Sequence, residues 1–296
     1  HFKIITLKGI RVNPNFPIFV ISKGRWESRL TSKTFERTNI PYRIVIEPQE
    51  YDDYVKFINK EKIIKLPFSN LGQGSIPARN FVWDFAIKEG HKKHWIIDDN
   101  IYDFYRFNRN AKNIVEDGTI FKCAEDFVDR YENIMLSGFN YCKFCIASEK
   151  YPPYLFNTRI YSTILIDHRL DLRWRGKYNE DTDLSIRTLK LGYCTVQFNA
   201  FLAEKATTMR LKGGNTDSIY QNENLDYQDG VLEKSKSLQE QHPDVAKVVW
   251  RWNRWHHFVD YSVFKRNKPI FKKDIKIPKG IDNYGMKLKT FEEYVK

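Results

Sequence analysis

Short apolar runs alternate with helical patterns along the first part of the chain. Residues 17–21 and 42–46 are β-rich runs with a helix expected between them, and residues 62–66 form a further short strand. Residues 51–58 are expected to be helical, and the apolar run at 95–97 is typical of a buried central strand. Because strands that alternate with helices are joined by right-handed crossovers, the pattern predicts an α/β fold with a parallel sheet.

The later part of the chain has a less regular pattern. A proline-broken loop interrupts it at 149–154, and residues 225–241 are expected to form a helix that ends before Pro243. The strands expected here are residues 144–148, 161–166 and 195–198. This half therefore indicates an elaboration of the fold rather than a repeat of the first half.

Two carboxylates and an amide, Asp98, Asp99 and Asn100, follow the central apolar run. In open α/β sheets, ligands bind beyond the carboxyl ends of the strands. Carboxylate and amide oxygens suit Mg²⁺ or Mn²⁺, and such an ion can bridge a diphosphate. Asp and Asn also favour ordinary turns, so this motif alone does not separate a ligand site from a polar turn.

A second acidic cluster contains Glu180, Asp181 and Asp183 and precedes a helical pattern that Gly192 ends. Carboxylates stabilise a helix N-terminus, so capping explains one or two of them more easily than three. A carboxylate kept ionised at that position could act as general base toward an incoming hydroxyl.

A glycine-containing loop at residues 72–80 leads into another expected helix. Ser75 is the expected N-cap, Pro77 lies in the first turn, and Gly90 ends the helix just before the central strand. Arg79 would then lie at the same end of the sheet as the acids, where a guanidinium could clamp a phosphate or orient a carboxylate. The alternative is a mobile loop followed by an amphipathic helix.

The order of these motifs resembles the GT-A class of nucleotide-sugar glycosyltransferases. More narrowly, residues 97–101 and 254–260 resemble the TET-associated glycosyltransferase group, whose viral members are implicated in decorating modified DNA bases. The resemblance covers residues 16–262 and implies a GT-A-like, Rossmann-type α/β fold, with a mostly parallel sheet flanked by helices and an elaborated C-terminal acceptor-side half. We expect one catalytic domain over 1–262, with a nucleotide-sugar half at 16–120 and an acceptor half at 121–262, and a basic extension at 263–296.

The resemblance also implies roles for individual residues. Asp98, Asp99 and Asn100 match the acidic DXD-type motif, which holds the divalent ion and the ribose and diphosphate of the donor. Asn100 stands where many members carry a metal-binding aspartate, and one less negative charge should weaken ion binding. Asp181, next to Glu180, matches the base of inverting members; in a retaining enzyme it becomes a positioning residue.

Turns and loops complete the expected site. The turn after the first strand and the loop at 212–216 could meet the donor, and a late histidine could reach the metal or diphosphate, as in similar enzymes. The residues expected to bind the UDP-sugar are Ser22, Lys23, Arg25, Glu47, Arg79, Asp98, Asp99, Gly213, Gly214 and Asn215. The residues expected at a Mn²⁺ or Mg²⁺ ion are Asp99, Asn100, His256 and His257, and Asp181 and Glu180 are the expected catalytic pair.

Residues 249–258 combine tryptophans with arginines, a composition that can stack bases while contacting phosphates. Arg251, Arg254, Lys265 and Arg266 are the expected nucleic-acid contacts, whereas the tryptophans are expected mostly to pack. A solvated basic face is the alternative. The net charge of +12 suits a polyanionic partner but suits a nucleotide diphosphate equally.

The cysteines and the hydropathy indicate the compartment. An expected strand at 141–147 would place Cys142 and Cys145 on opposite faces, so we do not expect them to bind a zinc ion together. We expect all four cysteines to be reduced and mostly buried. No stretch is apolar enough to span a bilayer and no signal-peptide pattern is present, so a cytoplasmic protein is expected.

Together these observations predict transfer of a sugar from a UDP-sugar to the hydroxyl of a hydroxymethylated pyrimidine in DNA. One alternative is the same chemistry on a protein or glycan acceptor. Another is a non-catalytic DNA-binding protein on a degenerate enzyme fold. The identity of the sugar, the anomeric outcome and the oligomeric state stay open.

Overall fold

The computed structural model describes residues 12–146, 151–206 and 227–275, with side chains in the last range described from residue 232. The strands are β1 (Ile18–Ile21), β2 (Arg43–Ile46), β3 (Ile63–Lys65), β4 (Lys93–Asp98), β5 (Ile101–Asn108), β6 (Ala111–Ile114), β7 (Ile134–Tyr141), β8 (Tyr154–Phe156), β9 (Thr163–Asp167), β10 (Cys194–Lys205), β11 (Ala246–Arg251) and β12 (Arg254–Val259). The α-helices are α1 (Leu30–Thr38), α2 (Tyr51–Tyr54), α3 (Ile76–Lys88), α4 (Thr119–Val128), α5 (Glu180–Lys190) and α6 (Tyr227–Gln241).

One large mixed sheet organises the molecule, with strands in the order β3-β2-β1-β4-β9-β7-β10-β5-β6 and β8 on the side of β10. The first four strands, β1 to β4, pair in parallel with one another, as the alternating pattern predicts. In the second half β9 is antiparallel to both β4 and β7, and β10 is parallel to β7. Consequently, the carboxyl ends of β1, β2 and β4 lie side by side at one edge, where ligands bind in such sheets.

The core lies on both faces of this sheet. Trp95 and Ile97 of β4 pack in one cluster, with residues of α1 and α4, whereas Ile96 packs in the other, with α3 and α5. Alternate residues of a strand point to opposite faces, so a strand covered by helices on both sides is apolar at every position. The continuous apolar run before Asp98 therefore specifies a central, doubly covered strand.

Three local expectations are wrong. Among the described residues, 142–146 do not form the strands expected over 141–147 and 144–148: β7 ends at Tyr141, and a 3₁₀ turn follows at Cys142–Phe144. The helix expected over 51–58 is only the short α2, Tyr51–Tyr54. These short apolar segments pack as turns because tertiary contacts outweigh weak local propensity. The four cysteines are thiols outside any disulfide, and Cys142 is half-buried while the other three are buried.

Residues 261–275 pack against the body of the domain. Phe264 is buried, Phe271 stacks on Tyr131 with ring centroids 4.5 Å apart, and the amide of Asn267 donates to the carbonyl oxygens of Leu189 and Tyr193. The division of the chain into 1–262 and 263–296 stays a prediction. Within the described ranges, no helix has both the length and the apolar character needed to cross a membrane.

Candidate active site

Arg79 joins the two acidic clusters. This residue lies in the first turn of α3 and is only 3% exposed. Its Nη2 donates to Asp98 Oδ1 at 2.7 Å, and its Nη1 lies 3.6 Å from Asp181 Oδ1. Asp98 ends β4 and Asp181 lies in the first turn of α5, so residues from three separate elements converge on one guanidinium. The sequence places these residues at one end of the sheet, and the structure brings them close together there.

Asp181 is held by two further donors. The backbone N–H of Ser162 donates to its Oδ2 and the indole Nε1 of Trp174 donates to its Oδ1, each at 3.2 Å. Burial raises the pKa of Asp181 to about 6; the charge of Arg79 opposes this shift, and the charges of Glu180 and Asp98 add to it. A carboxyl with this pKa is mostly ionised at neutral pH and remains basic enough to accept a proton.

Lys205, at the end of β10, is the second cationic residue that contacts Asp98. Its Nζ donates to Asp98 Oδ2 and to the hydroxyl of Ser162, both at 2.7 Å. Burial favours the neutral carboxyl, but Lys205 and Arg79 outweigh it and hold the pKa of Asp98 below its usual range. Sequence reasoning missed Lys205 because it is 107 positions from Asp98; its one local signal is a cation at the end of a long apolar strand.

Ser162 connects the two carboxylates through its backbone. Its N–H donates to Asp181, as described above, and its carbonyl accepts from the N–H of Asp98 at 2.9 Å. Its hydroxyl also hydrogen-bonds with Tyr141. Ser162 has φ of 61°, in the left-handed region that non-glycine residues rarely adopt. Backbone strain of this kind persists where surrounding contacts fix the conformation, often at functional sites.

Asp99 faces the end of β1. Its Oδ2 accepts from the hydroxyl of Ser22 at 2.7 Å and its Oδ1 accepts from Arg25 Nη1. The hydroxyl of Ser22 also lies 2.6 Å from that of Tyr54. Burial raises the pKa of Asp99, opposed by the charge of Arg25 and the hydrogen bond from Ser22. Ser22, Arg25 and Asp99 are therefore together, as the sequence predicts, and Tyr54 is an added member.

Glu47 and Lys23 lie beside this group, at the ends of β2 and β1. Lys23 Nζ donates to Glu47 Oε1 at 2.8 Å and to Asn70 Oδ1 at 3.1 Å. The backbone N–H of Asn70 in turn donates to Glu47 Oε2 at 3.1 Å. The loop before α3 is thereby tied to the same sheet edge as the predicted donor-binding residues.

The two helix N-termini are arranged by local sequence. Ser75 precedes α3 as expected, but its hydroxyl accepts from Arg79 Nε at 3.1 Å and lies 3.5 Å from Glu180 Oε1 instead of capping the helix. Asn179, just before α5, has φ of 55°. Asn tolerates this left-handed conformation better than most residues, and the resulting turn aims Asp181 at the sheet edge.

The side-chain oxygen atoms at the end of β4 fit a divalent cation poorly in this arrangement. Each carboxylate oxygen of Asp98 and Asp99 already accepts from a cationic or hydroxyl side chain. Asn100 Oδ1 is a buried acceptor that no described donor contacts. In the described ranges, no three His, Cys, Asp or Glu side chains are grouped to hold a metal ion. An ion at the two aspartates would therefore share these oxygens with cationic and hydroxyl donors.

The predicted metal-binding histidines lie on the β11–β12 hairpin. His256 Nε2 accepts from Arg254 Nε at 3.0 Å, and His257 lines a cavity with Asn140 and Tyr161. The structure does not bring either histidine into a metal-ligand group with Asp99 among the residues it describes. The predicted donor residues Gly213, Gly214 and Asn215 lie outside the described residues.

The predicted nucleic-acid residues are all at the surface. Arg251 and Arg254 flank the hairpin turn, and Lys265 and Arg266 lie in a 3₁₀ helix that follows β12. The expectation that the tryptophans mostly pack is wrong for two of them, because Trp252 is 81% exposed and Trp250 is 47% exposed. A short two-residue hairpin turn points its side chains to solvent, which explains the difference at Trp252.

Sequence comparison places this chain in a known protein family. The model of the TET-associated glycosyltransferase family matches residues 16–214. A similar fold is found in the crystal structure of a protein from Desulfovibrio desulfuricans G20 that is assigned to the nucleotide-diphospho-sugar transferases. The two proteins share 10% sequence identity and superpose with a TM-score of 0.39, and the match covers 77% of this chain and 98% of that chain. No protein of curated function matches the sequence significantly. The chain belongs to the TET-associated glycosyltransferase family.

Proposed function

We propose that this enzyme transfers a sugar from a UDP-sugar to the hydroxyl of a hydroxymethylated pyrimidine in DNA. The observation that carries the proposal is the convergence of Asp98, Arg79 and Asp181 at the carboxyl ends of the strands. Arg79 Nη1 is a buried donor without a hydrogen-bond partner among the described residues, so it can donate to a ligand oxygen beside the catalytic carboxylate.

For the sugar donor, we assign nucleotide binding to the residues at the ends of β1, β2 and β4. Asp99, Ser22 and Arg25 would contact the nucleoside, with Lys23 and Glu47 beside them. Arg79 and Lys205 supply positive charge next to Asp98, where the diphosphate would develop negative charge as it leaves. The predicted ion, with Asp99 and Asn100 as expected ligands, stays a prediction from the family resemblance, and the role proposed for Asp181 does not depend on it.

The chemical half of the proposal assigns Asp181 as general base. Its carboxylate takes the proton of the acceptor hydroxyl while that oxygen forms a bond to the anomeric carbon. The bond from the anomeric carbon to the phosphate oxygen breaks, and UDP leaves with the electron pair. This is an inverting displacement; in a retaining course Asp181 would orient the acceptor instead. Glu180 adds negative charge beside Asp181 and contributes to its raised pKa.

The test is transfer by the purified protein from a panel of UDP-glucose, UDP-arabinose and UDP-N-acetylglucosamine, with Mn²⁺ or with a chelator. Hydroxymethylated DNA, unmodified DNA and glycan or peptide acceptors are compared. Asp181→Asn should abolish transfer but keep nucleotide binding, whereas the matched variant Asp84→Asn, at an exposed ion pair with Arg173, should behave like the wild type. No transfer and no donor hydrolysis under any condition would remove the enzymatic proposal, and transfer only to glycan or peptide would replace its acceptor.

A further inference from the structure

A cavity of about 370 Å³ lies next to the candidate active site, between the end of β7 and strand β12. Its lining includes Asn140, Tyr161, Thr182 and His257. Thr182 directly follows Asp181 in α5, and Tyr161 directly precedes the residue whose N–H donates to Asp181. The cavity is therefore lined by the chain neighbours of Asp181 and of Ser162, whose N–H binds Asp181, and lies close to the proposed general base.

The lining combines aromatic rings with amide groups. Tyr161 donates to Asn140 Oδ1 at 2.8 Å, and Gln197 Nε2 donates to the carbonyl oxygen of Arg159 at 3.1 Å. The ring of Phe258 contributes a further apolar wall. Enzymes that act on an extruded base stack it against such rings and read its edge with hydrogen bonds. A flat heterocycle with polar edges fits this chemistry better than a saturated chain does.

The same hairpin that closes this cavity carries an exposed aromatic tip. His257 and Phe258 lie near the base of β12, whereas Trp252 is in the two-residue turn between β11 and β12. At about 3.3 Å per residue, the tip is roughly 15 Å along the strand from His257. Residues 246–259 contain three Lys or Arg side chains and no acidic residue, so the hairpin complements a polyanion.

The ring of Trp252 meets that of His256 edge-on, with centroids 5.2 Å apart, but stays largely in solvent. Trp252 and Asn253 have φ of 51° and 56°, the positive values that a tight hairpin turn requires. Asn and Gly suit these positions, whereas a bulky residue is disfavoured there. Trp252 adopts the costly conformation and is still 81% exposed, so burial of its ring does not offset the cost. A strained, exposed aromatic residue is instead a reason to look for a binding role.

We infer that the β11–β12 hairpin extracts the acceptor base from duplex DNA. Trp252 stacks at the position that the base leaves, Arg251 and Arg254 contact the flanking phosphates, and the extruded pyrimidine occupies the cavity beside Asp181. This inference rests on the proposed DNA acceptor and goes beyond it, because it assigns a binding surface, a base pocket and an order of contacts. No covalent step is involved.

The experiment measures extrusion separately from catalysis. A duplex with a hydroxymethylated pyrimidine carries a fluorescent adenine analogue as the neighbouring base, whose emission rises when the target base unstacks. Binding of the wild type should raise the emission. Trp252→Ala should lose most of this rise, Trp252→Phe should restore part of it, and Phe57→Ala, which removes another exposed ring, should match the wild type.

Transfer rates give the second readout. Base stacking on an aromatic side chain supports an expected loss of about 10-fold to 100-fold in transfer to duplex DNA for Trp252→Ala. Transfer to single-stranded DNA should change far less, because an unpaired base does not need extraction. Equal emission from Trp252→Ala and the wild type, or no rise with the wild type, would overturn the inference. Absence of sugar transfer with an intact fluorescence response would instead refute the proposed function alone.

Discussion

Replacing the Arg79 side chain by a neutral one should move the acid limb of the pH-rate profile upward. Arg79 Nη1 lies 3.6 Å from Asp181 Oδ1, and the charge on Arg79 opposes the raised pKa of Asp181. A general base works when ionised, so activity is lost as the pH falls through its pKa. The wild-type acid limb is therefore expected at about pH 6.

The size of the shift follows from the distance. Two unit charges 3.6 Å apart interact by roughly 4 to 5 kcal/mol at an effective dielectric constant of about 20. At about 1.4 kcal/mol per pKa unit this gives at most about 3 units, and partial compensation by Lys205 reduces it to about 1 to 3 units. Arg79→Gln should therefore have an acid limb between about pH 7 and pH 9, and its rate at pH 7 should fall by roughly 2-fold to 100-fold beyond other losses.

The assay is the initial rate of UDP release from about pH 5 to about pH 9.5, at saturating donor. Arg79→Lys is the matched control, because it keeps the charge while losing the contact with Ser75, so its acid limb should stay near that of the wild type. Removing one member of a buried ion pair can cost roughly 3 to 5 kcal/mol, so circular dichroism must establish that both variants are folded. A folded Arg79→Gln with an unshifted limb would refute the assignment of Asp181 as the base or its coupling to Arg79.

Three further outcomes are expected. Lys205→Met should raise the pKa of Asp98 and lower the free energy of unfolding by roughly 3 to 5 kcal/mol at neutral pH. The loss should be smaller near pH 3, because Asp98 of the variant takes up a proton there. Urea denaturation at both pH values checks this, and equal losses would contradict it. Gly138→Ala should not fold stably, because a Cβ there would lie 2.1 Å from the carbonyl oxygen of Thr163, and a cooperative wild-type-like melting curve would refute the close approach. Arg254→Ala should weaken DNA binding similarly for different sequences and reduce the slope of log K against log salt by about 1, as measured by fluorescence anisotropy, whereas an unchanged slope would remove Arg254 from the phosphate contacts.

Some parts of the fold follow from local sequence alone. The apolar run before Asp98 specifies a strand covered on both faces, because every side chain of such a strand is buried. Gly90 and Gly192, with φ of 82° and 85°, end the two site helices where the sequence predicts. These features depend on residues a few positions apart, so the chain specifies them before any tertiary contact forms. They also account for the predicted position of both acidic clusters.

Other parts depend on long-range pairing that a local pattern does not contain. The insertion of β9 antiparallel to both β4 and β7 places Ser162 between Asp98 and Asp181. No short-range signal distinguishes this register from another. The short apolar segments near Phe144 and Tyr51 are similarly ambiguous, since they are too brief to favour strand or helix without their neighbours.

The sequence by itself determined the acids, the arginine, their places at the ends of secondary-structure elements, and the family to which the chain belongs. Only the tertiary structure decided that Lys205 neutralises Asp98, that Arg79 joins Asp98 to Asp181, and that Trp252 stays in solvent. The physical reason is that charge pairing and burial depend on distances in space between residues far apart in the chain. Element type depends mainly on neighbours within a few residues, which the sequence displays directly.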